Sequence, residues 1–380
     1  MRVCHVSPHL PPDQAANALL PAELAAWAHE QGHQVTLVAH EPAQGQAAVP
    51  LPSGQVWRLP RKAKATGLAR ALRLDTLRQA RVISAALDQA AQAANLLHLH
   101  SNGLIVEVAA AWAARKRIPF VLTLYGTEIW HYKRRWPVDP FTRAYRGASA
   151  VTFYSRKLME RATELGLSRE DLVVVYPTIA PAFTPQTSET RAEWRAALGI
   201  RESQVVLNVK RLHELAGQRY LIDAFARATE GRNDVRLVIC GTGALKETLE
   251  AQARASGAGD RITFAGLVAN DQVARYAAVA DVFVLPSLLE ALPTVAVEAL
   301  ASGTPVISAD HPGGVELHEV FAEDVQVVAK GDAPALAQAL RARLQSPRRV
   351  SATTLELVTR HFGRAAVHDA YDAVYRMALR

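Results

Sequence analysis

Cysteine is nearly absent: Cys4 and Cys240 are the only two in 380 residues. Both stand in apolar, strand-like runs, so they read as buried structural thiols in a reducing compartment, not as a disulfide framework. No Cys/His cluster has the spacing of a zinc site. Long apolar runs are missing as well, and none reaches the roughly 18 residues needed to span a bilayer. The opening Met1-Arg2-Val3-Cys4-His5-Val6 reads as a first strand and not as a leader. Aromatics make up 6% of the chain, and the basic clusters have none interleaved. That argues against nucleic acid as a partner.

What is present is an ordinary globular balance, 49% hydrophobic and 21% charged. The length exceeds one core and predicts two domains of roughly 180 residues each. Charge is divided unevenly. Residues 1–183 carry 21 Lys and Arg against 13 Asp and Glu, a net of +8. The remainder carries 22 against 23, a net of −1. Clusters in the basic half include Arg61-Lys62-Ala63-Lys64, Arg70, Arg73, Arg78, Arg81, Arg115-Lys116-Arg117 and Lys133-Arg134-Arg135. Such a half attracts an anionic acceptor or an anionic membrane surface, or is simply well solvated.

Strand-like and helix-like patterns alternate along the chain, as in doubly wound α/β sheets. Strands are expected at 2–8, 34–39, 96–100, 120–124, 151–154 and 172–176, with helices at about 20–31, 67–95 and 104–115. The polar, Pro-bearing stretch Thr184–Thr190 is the linker candidate. A second series starts at Val205 with strands at 205–209, 235–240, 262–265, 281–285 and 305–308, separated by helices. The expected domains are 1–183 and 184–363. A last helix at about 364–380 is expected to pack back on the first.

Within the second series, Glu290 and Glu298 are separated by seven residues. Glu290 falls in the loop after a buried strand, and Glu298 falls about one turn into the helix that follows. Ligands of open α/β sheets bind at that edge. A carboxylate there can accept two hydroxyl hydrogen bonds, and helix-start N–H groups can hold an anion. Two glutamates at this spacing alone are more often a cap and a surface residue.

The surrounding words change that. PSLLEALPTVAVEALASGTPVISA resembles the E-x7-E signature of retaining glycosyltransferase family 4, enzymes of the GT-B fold. So do HVSPHLPP, HLHSNG at 98–103, TLYGTEIW at 123–130, VLNVKRLHELAG from 206 and VICGTG at 238–243. The resemblance covers nearly the whole chain. It implies two Rossmann-like doubly wound domains facing a central cleft, and transfer of a sugar from a nucleotide-sugar donor to a hydroxyl acceptor. That acceptor is a glycan, a lipid-linked sugar or a small molecule. Arg211 matches the family's phosphate-binding arginine, and its planar fork suits a diphosphate. By the same resemblance Glu290 holds donor-sugar hydroxyls beside Ala291, Leu292, Pro293 and Thr294, while Glu298 binds the ribose. Gly241 and Leu267 border the donor, with the nucleobase near Gly266–Val268. Gly313, Gly314 and Glu316 may equally border the cleft or not. Glu128, Tyr125, Gly126, His100, Ala15, Ala16 and Asn17 belong to the acceptor side, with Glu128 positioning substrate.

No Asp-x-Asp occurs in the chain, the pair that the other large glycosyltransferase fold uses to hold a divalent metal. The expectation is a metal-independent, cofactor-free, front-face reaction, with the leaving phosphate taking the acceptor's proton. The expected place is the cytoplasm, including the inner face of the membrane through the basic half.

Four departures stand out. Ala216 occupies the place of the family's lysine, leaving Lys210 or His213 to supply that charge. Tyr125-Gly126 stands for His-Gly, Ala15-Ala16 for Gly-Gly, and Pro177-Thr178-Ile179 for Pro-Asn-Gly. Two other readings therefore stay open: a nucleotide-sugar-binding homologue without transfer, and a hydrolysing sugar-nucleotide epimerase on the same fold.

Overall fold

The computed structural model describes residues 1–13, 16–42, 47–48, 51, 54–61, 74–135 and 137–380. Arg70, Arg73, Trp136 and most of the Arg61–Lys64 cluster lie outside the described residues. The chain divides into two compact units, Met1–Tyr176 with Val367–Arg380, and Pro177–Ala366. The division thus falls ahead of the stretch read as the linker. That stretch is tied into the second unit, because the Thr187 side chain accepts from Thr190 N–H and caps the helix Ser188–Ala197.

The first unit holds a seven-stranded parallel sheet in the order β3-β2-β1-β4-β5-β6-β7. Its strands are β1 (Arg2–Ser7), β2 (Gln34–His40), β3 (Gln55–Leu59), β4 (Leu96–His100), β5 (Phe120–Leu124), β6 (Ala150–Phe153) and β7 (Leu172–Val174). One face is apolar. Cys4, Val6, Leu97, Leu99, Leu122, Leu124, Val151 and Phe153 pack there against helices Leu74–Ala90 and Leu104–Lys116.

The other face is polar and equally buried. Cross-strand pairing sets His5 beside His98, His100 beside Thr123, and Thr123 beside Thr152. The terminal helix Arg364–Ala378 covers this layer with Tyr371 and Tyr375.

The helix read from about Leu20 starts earlier, at Ala16, and runs through Pro21 to Glu30. Proline has no N–H to offer the carbonyl four residues back. That carbonyl, Asn17 O, instead accepts from the Ser7 hydroxyl at 2.9 Å.

The second unit holds a six-stranded parallel sheet in the order β10-β9-β8-β11-β12-β13. Its strands are β8 (Gln204–Val209), β9 (Val235–Cys240), β10 (Ile262–Gly266), β11 (Val282–Leu285), β12 (Val306–Ala309) and β13 (Val325–Val328). After β10 the chain returns to the centre and lays β11 beside β8. Strand order therefore reverses between β8 and β11, the switch point where open sheets leave a crevice at their carboxyl ends.

Candidate active site

The carboxyl ends of β8, β9, β10 and β11 open onto a cleft of about 700 Å³ in the second unit. Lys210 and Arg211 enter it after β8, Gly241 after β9, Leu267 after β10 and Glu290 after β11. Val295 reaches it from the helix Thr294–Ala301. Pro293 is that helix's N-cap, and the first N–H groups beyond it have no intrahelical acceptor.

Two close backbone approaches shape the wall. Gly241 has φ 142°, and a Cβ on it would stand 2.0 Å from the Lys210 carbonyl oxygen. Gly217 has φ 69°, and a Cβ there would stand 2.1 Å from the Pro286 carbonyl oxygen. The second approach lets Leu288 N–H donate to Leu215 O at 2.8 Å, joining the β8 loop to the β11 loop. We expect Gly241→Ala to displace the Lys210–Arg211 loop at a cost of roughly 2–3 kcal/mol. A thermal melt run beside a nucleotide titration checks this: melting falls by a few degrees, and affinity falls more than a melt alone accounts for.

The electrostatics are unusual at one point. Lys210 Nζ lies 2.6 Å from Glu290 Oε1, with the two side chains only 22% and 16% exposed. Arg211 is exposed and has no ion-pair partner among the described residues. His213 stays below its ordinary titration range, first because it is partly buried and then because Lys210 and Arg211 repel a third positive charge. Ala216 is fully buried in the core. Of the two residues that could supply the charge absent at 216, His213 is thus the poorer cation, and Lys210 is the one placed against Glu290.

Glu298 follows Val295 by one helical turn and so shares its face. Burial pushes its carboxyl up to about 7. Leu267 is 85% exposed at the rim, a large apolar side chain beside the open end of β10. Gly313 and Gly314 are packing positions: a Cβ on Gly313 would meet the Pro293 ring at 2.7 Å and Ala291 O at 2.8 Å, and one on Gly314 would meet Ala309 O at 2.3 Å. Gly313 N–H donates to Glu290 O at 3.1 Å, which fixes the main chain of the glutamate. Glu316 is fully buried.

The residues assigned to the acceptor side all lie in the first unit. Tyr125 turns its hydroxyl inward, 2.8 Å from His100 Nδ1, and is 9% exposed. His100 is fully buried, with Nε2 3.0 Å from His5 Nδ1. Both residues thus belong to the buried layer, a placement not evident from HLHSNG or LYGTE. Glu128 is also buried; its Oε2 accepts from Gly126 N–H at 2.8 Å, and its Oε1 has no partner. Asn17 meets Ser7 through its carbonyl, Ala16 opens its helix, and Ala15 lies outside the described residues. Trp130 and Tyr132 pack against the apolar core, and the Tyr132 hydroxyl donates to Asp139 Oδ2 at 2.9 Å.

His5, His98 and His100 each present a ligand nitrogen within 4.8 Å of the others. Five of the six ring nitrogens are already engaged: His98 with Tyr375 and Thr123, His100 with Tyr125 and His5, and His5 with His100. Only His5 Nε2 lacks a partner. A cation could bind only by displacing those bonds, so the trio reads as a hydrogen-bond chain of neutral imidazoles.

Comparisons with known proteins bear on both units. The model for "Glycosyl transferase 4-like domain" matches residues 21–178, and that for "Glycosyl transferases group 1" matches residues 190–354. An uncharacterized glycosyltransferase of Methanocaldococcus jannaschii is 31% identical over 54% of this chain and 55% of its own length. The 2-deoxystreptamine glucosyltransferase of Streptomyces kanamyceticus is 27% identical over 56% of this chain and 59% of its own. The chain thus spans under two thirds of either relative. Anabaena HepE, solved in complex with UDP, superposes with a TM-score of 0.75 over 99% of this chain and all of its own, at 17% identity. With both units matched, and with two parallel Rossmann-like sheets, the chain belongs to the group 1, family-4-like glycosyltransferases of the GT-B fold.

Proposed function

We propose that the cleft at the ends of β8–β11 holds a nucleotide-sugar donor and that the chain transfers its sugar, with retention and without a metal, to a hydroxyl acceptor. The observation that carries this is the convergence of Arg211, Lys210, Glu290 and a helix N-terminus on one crevice at the switch point. Negative charge grows on the diphosphate as the glycosidic bond breaks. A guanidinium at the cleft wall and the amides of the helix start meet that charge. The departing phosphate oxygen takes the acceptor's proton, so no protein nucleophile is required. Glu290 accepts from sugar hydroxyls, Glu298 from the ribose, and Leu267 lies against the base. One protein compared above is named a 2-deoxystreptamine glucosyltransferase and another was solved in complex with UDP, and both chemistries suit such a cleft. The net +8 of residues 1–183 favours an acceptor that is anionic or sits on an anionic lipid surface. No helix among the described residues is long and apolar enough to cross a membrane.

Thermal-shift screening against UDP, GDP, ADP and their sugar conjugates tests this. Saturation at about 100 times the dissociation constant should add roughly 2.7 kcal/mol. A shift with one nucleotide, followed by sugar transfer from its conjugate, supports the reading; no shift with any of them ends it.

Glu298 supplies a pH signature. Its carboxyl, at about 7 when folded, takes up a proton that the unfolded chain holds only below about 4.5. By itself it therefore lowers stability as pH rises through that window. Ribose hydroxyls favour the ionised form, so binding releases the proton. Nucleotide affinity should rise about tenfold from pH 6 to pH 8 beyond the change seen for Glu298→Gln. Equal slopes for the two proteins would remove Glu298 from the ribose site.

A further inference from the structure

The Lys210–Glu290 contact sets one donor-site residue against another. With Lys210 Nζ 2.6 Å from Oε1, part of the Glu290 carboxylate's acceptor capacity is taken from the sugar hydroxyls. The two main chains are fixed. Lys210 N–H donates to Cys240 O at 3.0 Å, and the Lys210 carbonyl lies under Gly241. Glu290 O accepts from Gly313 N–H. What remains mobile is the four-carbon stem of the lysine, with a compact charge at its tip. Ala216 offers no cation, His213 is held neutral, and Arg211 points an unpaired guanidinium to the same crevice.

Building on the donor-site reading above, we propose that Lys210 is a latch between the two halves of the donor. In the empty cleft its ammonium holds Glu290. An arriving diphosphate, carrying more charge than a carboxylate, draws the ammonium across to itself beside Arg211. That one movement completes the phosphate site and frees Glu290 for the sugar. The two halves are then coupled with positive sign, and the coupling is reciprocal. The substitution of lysine's place at 216 is thus answered from position 210, with a sugar-gating function added.

Isothermal titration with UDP, GDP and ADP, and with the matching monophosphates, tests the latch on the wild type, Lys210→Met and Glu290→Gln. In the wild type the diphosphate should bind more tightly than its monophosphate. Lys210→Met should lose about tenfold or more of the diphosphate affinity and little of the monophosphate affinity. Glu290→Gln should bind the diphosphate several-fold more tightly, because nothing competes for the ammonium. Misfolding cannot produce that rise. The latch is overturned if Lys210→Met keeps the full preference for the diphosphate, or if Glu290→Gln binds it no better than wild type. If no nucleotide binds the wild type, the donor-site reading itself falls, which is a separate result from either of those.

Discussion

Between pH 7 and pH 5 the first unit should lose stability through three buried side chains, about 2 kcal/mol of it from His5 alone. His5, His98 and His100 are fully buried. Burial holds His5 down at about 3, and burial together with neighbouring imidazoles holds His98 and His100 well below their usual range. The unfolded chain takes up protons near pH 6.5, and the folded chain does not. Their contribution is therefore complete above pH 6.5 and drains away as pH falls. His5 loses about 2 kcal/mol by pH 5, a large share of a typical total of 5–15 kcal/mol, and His98 and His100 act in the same direction. His311 in the second unit, also held near 3 by burial, adds in the same direction. Glu298 acts in the opposite direction over the same range. Urea midpoints measured from pH 7.5 to pH 5 check the slope. His5→Asn should flatten it by about 1.4 kcal/mol per pH unit below pH 6. Midpoints indifferent to pH would show that water reaches the histidine layer.

Replacing Arg211 should have the largest effect on turnover. Its guanidinium lines the cleft, has no ion-pair partner among the described residues, and is the only charged group there not held by another. On the proposed chemistry, Arg211→Ala removes a cationic donor to the leaving diphosphate. We expect transfer to fall about 10²–10³-fold, roughly 3–4 kcal/mol in the transition state. The exposed position makes a stability effect small, within about 0.5 kcal/mol. Steady-state rates and melting curves on the same preparation separate the two. A variant that melts normally and retains more than a tenth of the wild-type rate would relieve Arg211 of this role. Arg211→Lys should restore only part of the loss, because an ammonium cannot make the forked contact.

Much of the fold was legible because parallel strands buried on both faces read as continuous apolar runs. Val205–Val209 and Val235–Cys240 are examples. The edge strands β3 and β13 were not. Gln55-Val-Trp-Arg-Leu59 and Val325-Gln-Val-Val328 are only half buried, and their polar residues break the run. Glu290, Arg211, Gly241 and Leu267 could be placed in one cleft from loop positions after successive strands. The Lys210–Glu290 pair could not, since a contact between the β8 and β11 loops depends on the backbone approaches at Gly217 and Gly241. The roles of His100 and Tyr125 were hidden for a different reason. Along β4 the imidazoles alternate with leucines as solvent-facing residues do, and the helix 364–378 helps turn that face into an interior.

That covering helix is also made after the whole of the second unit. Until residues 367–378 emerge from the ribosome, Tyr371 and Tyr375 are missing from the first unit, and the histidine face of its sheet stays wet. The second unit, Pro177–Ala366, contains none of those residues. Synthesis therefore interleaves the two units: the first is completed only after all of the second has been made. In the interval, the His98 ring lacks its hydrogen bond to the Tyr375 hydroxyl, and the polar face of the sheet is incomplete.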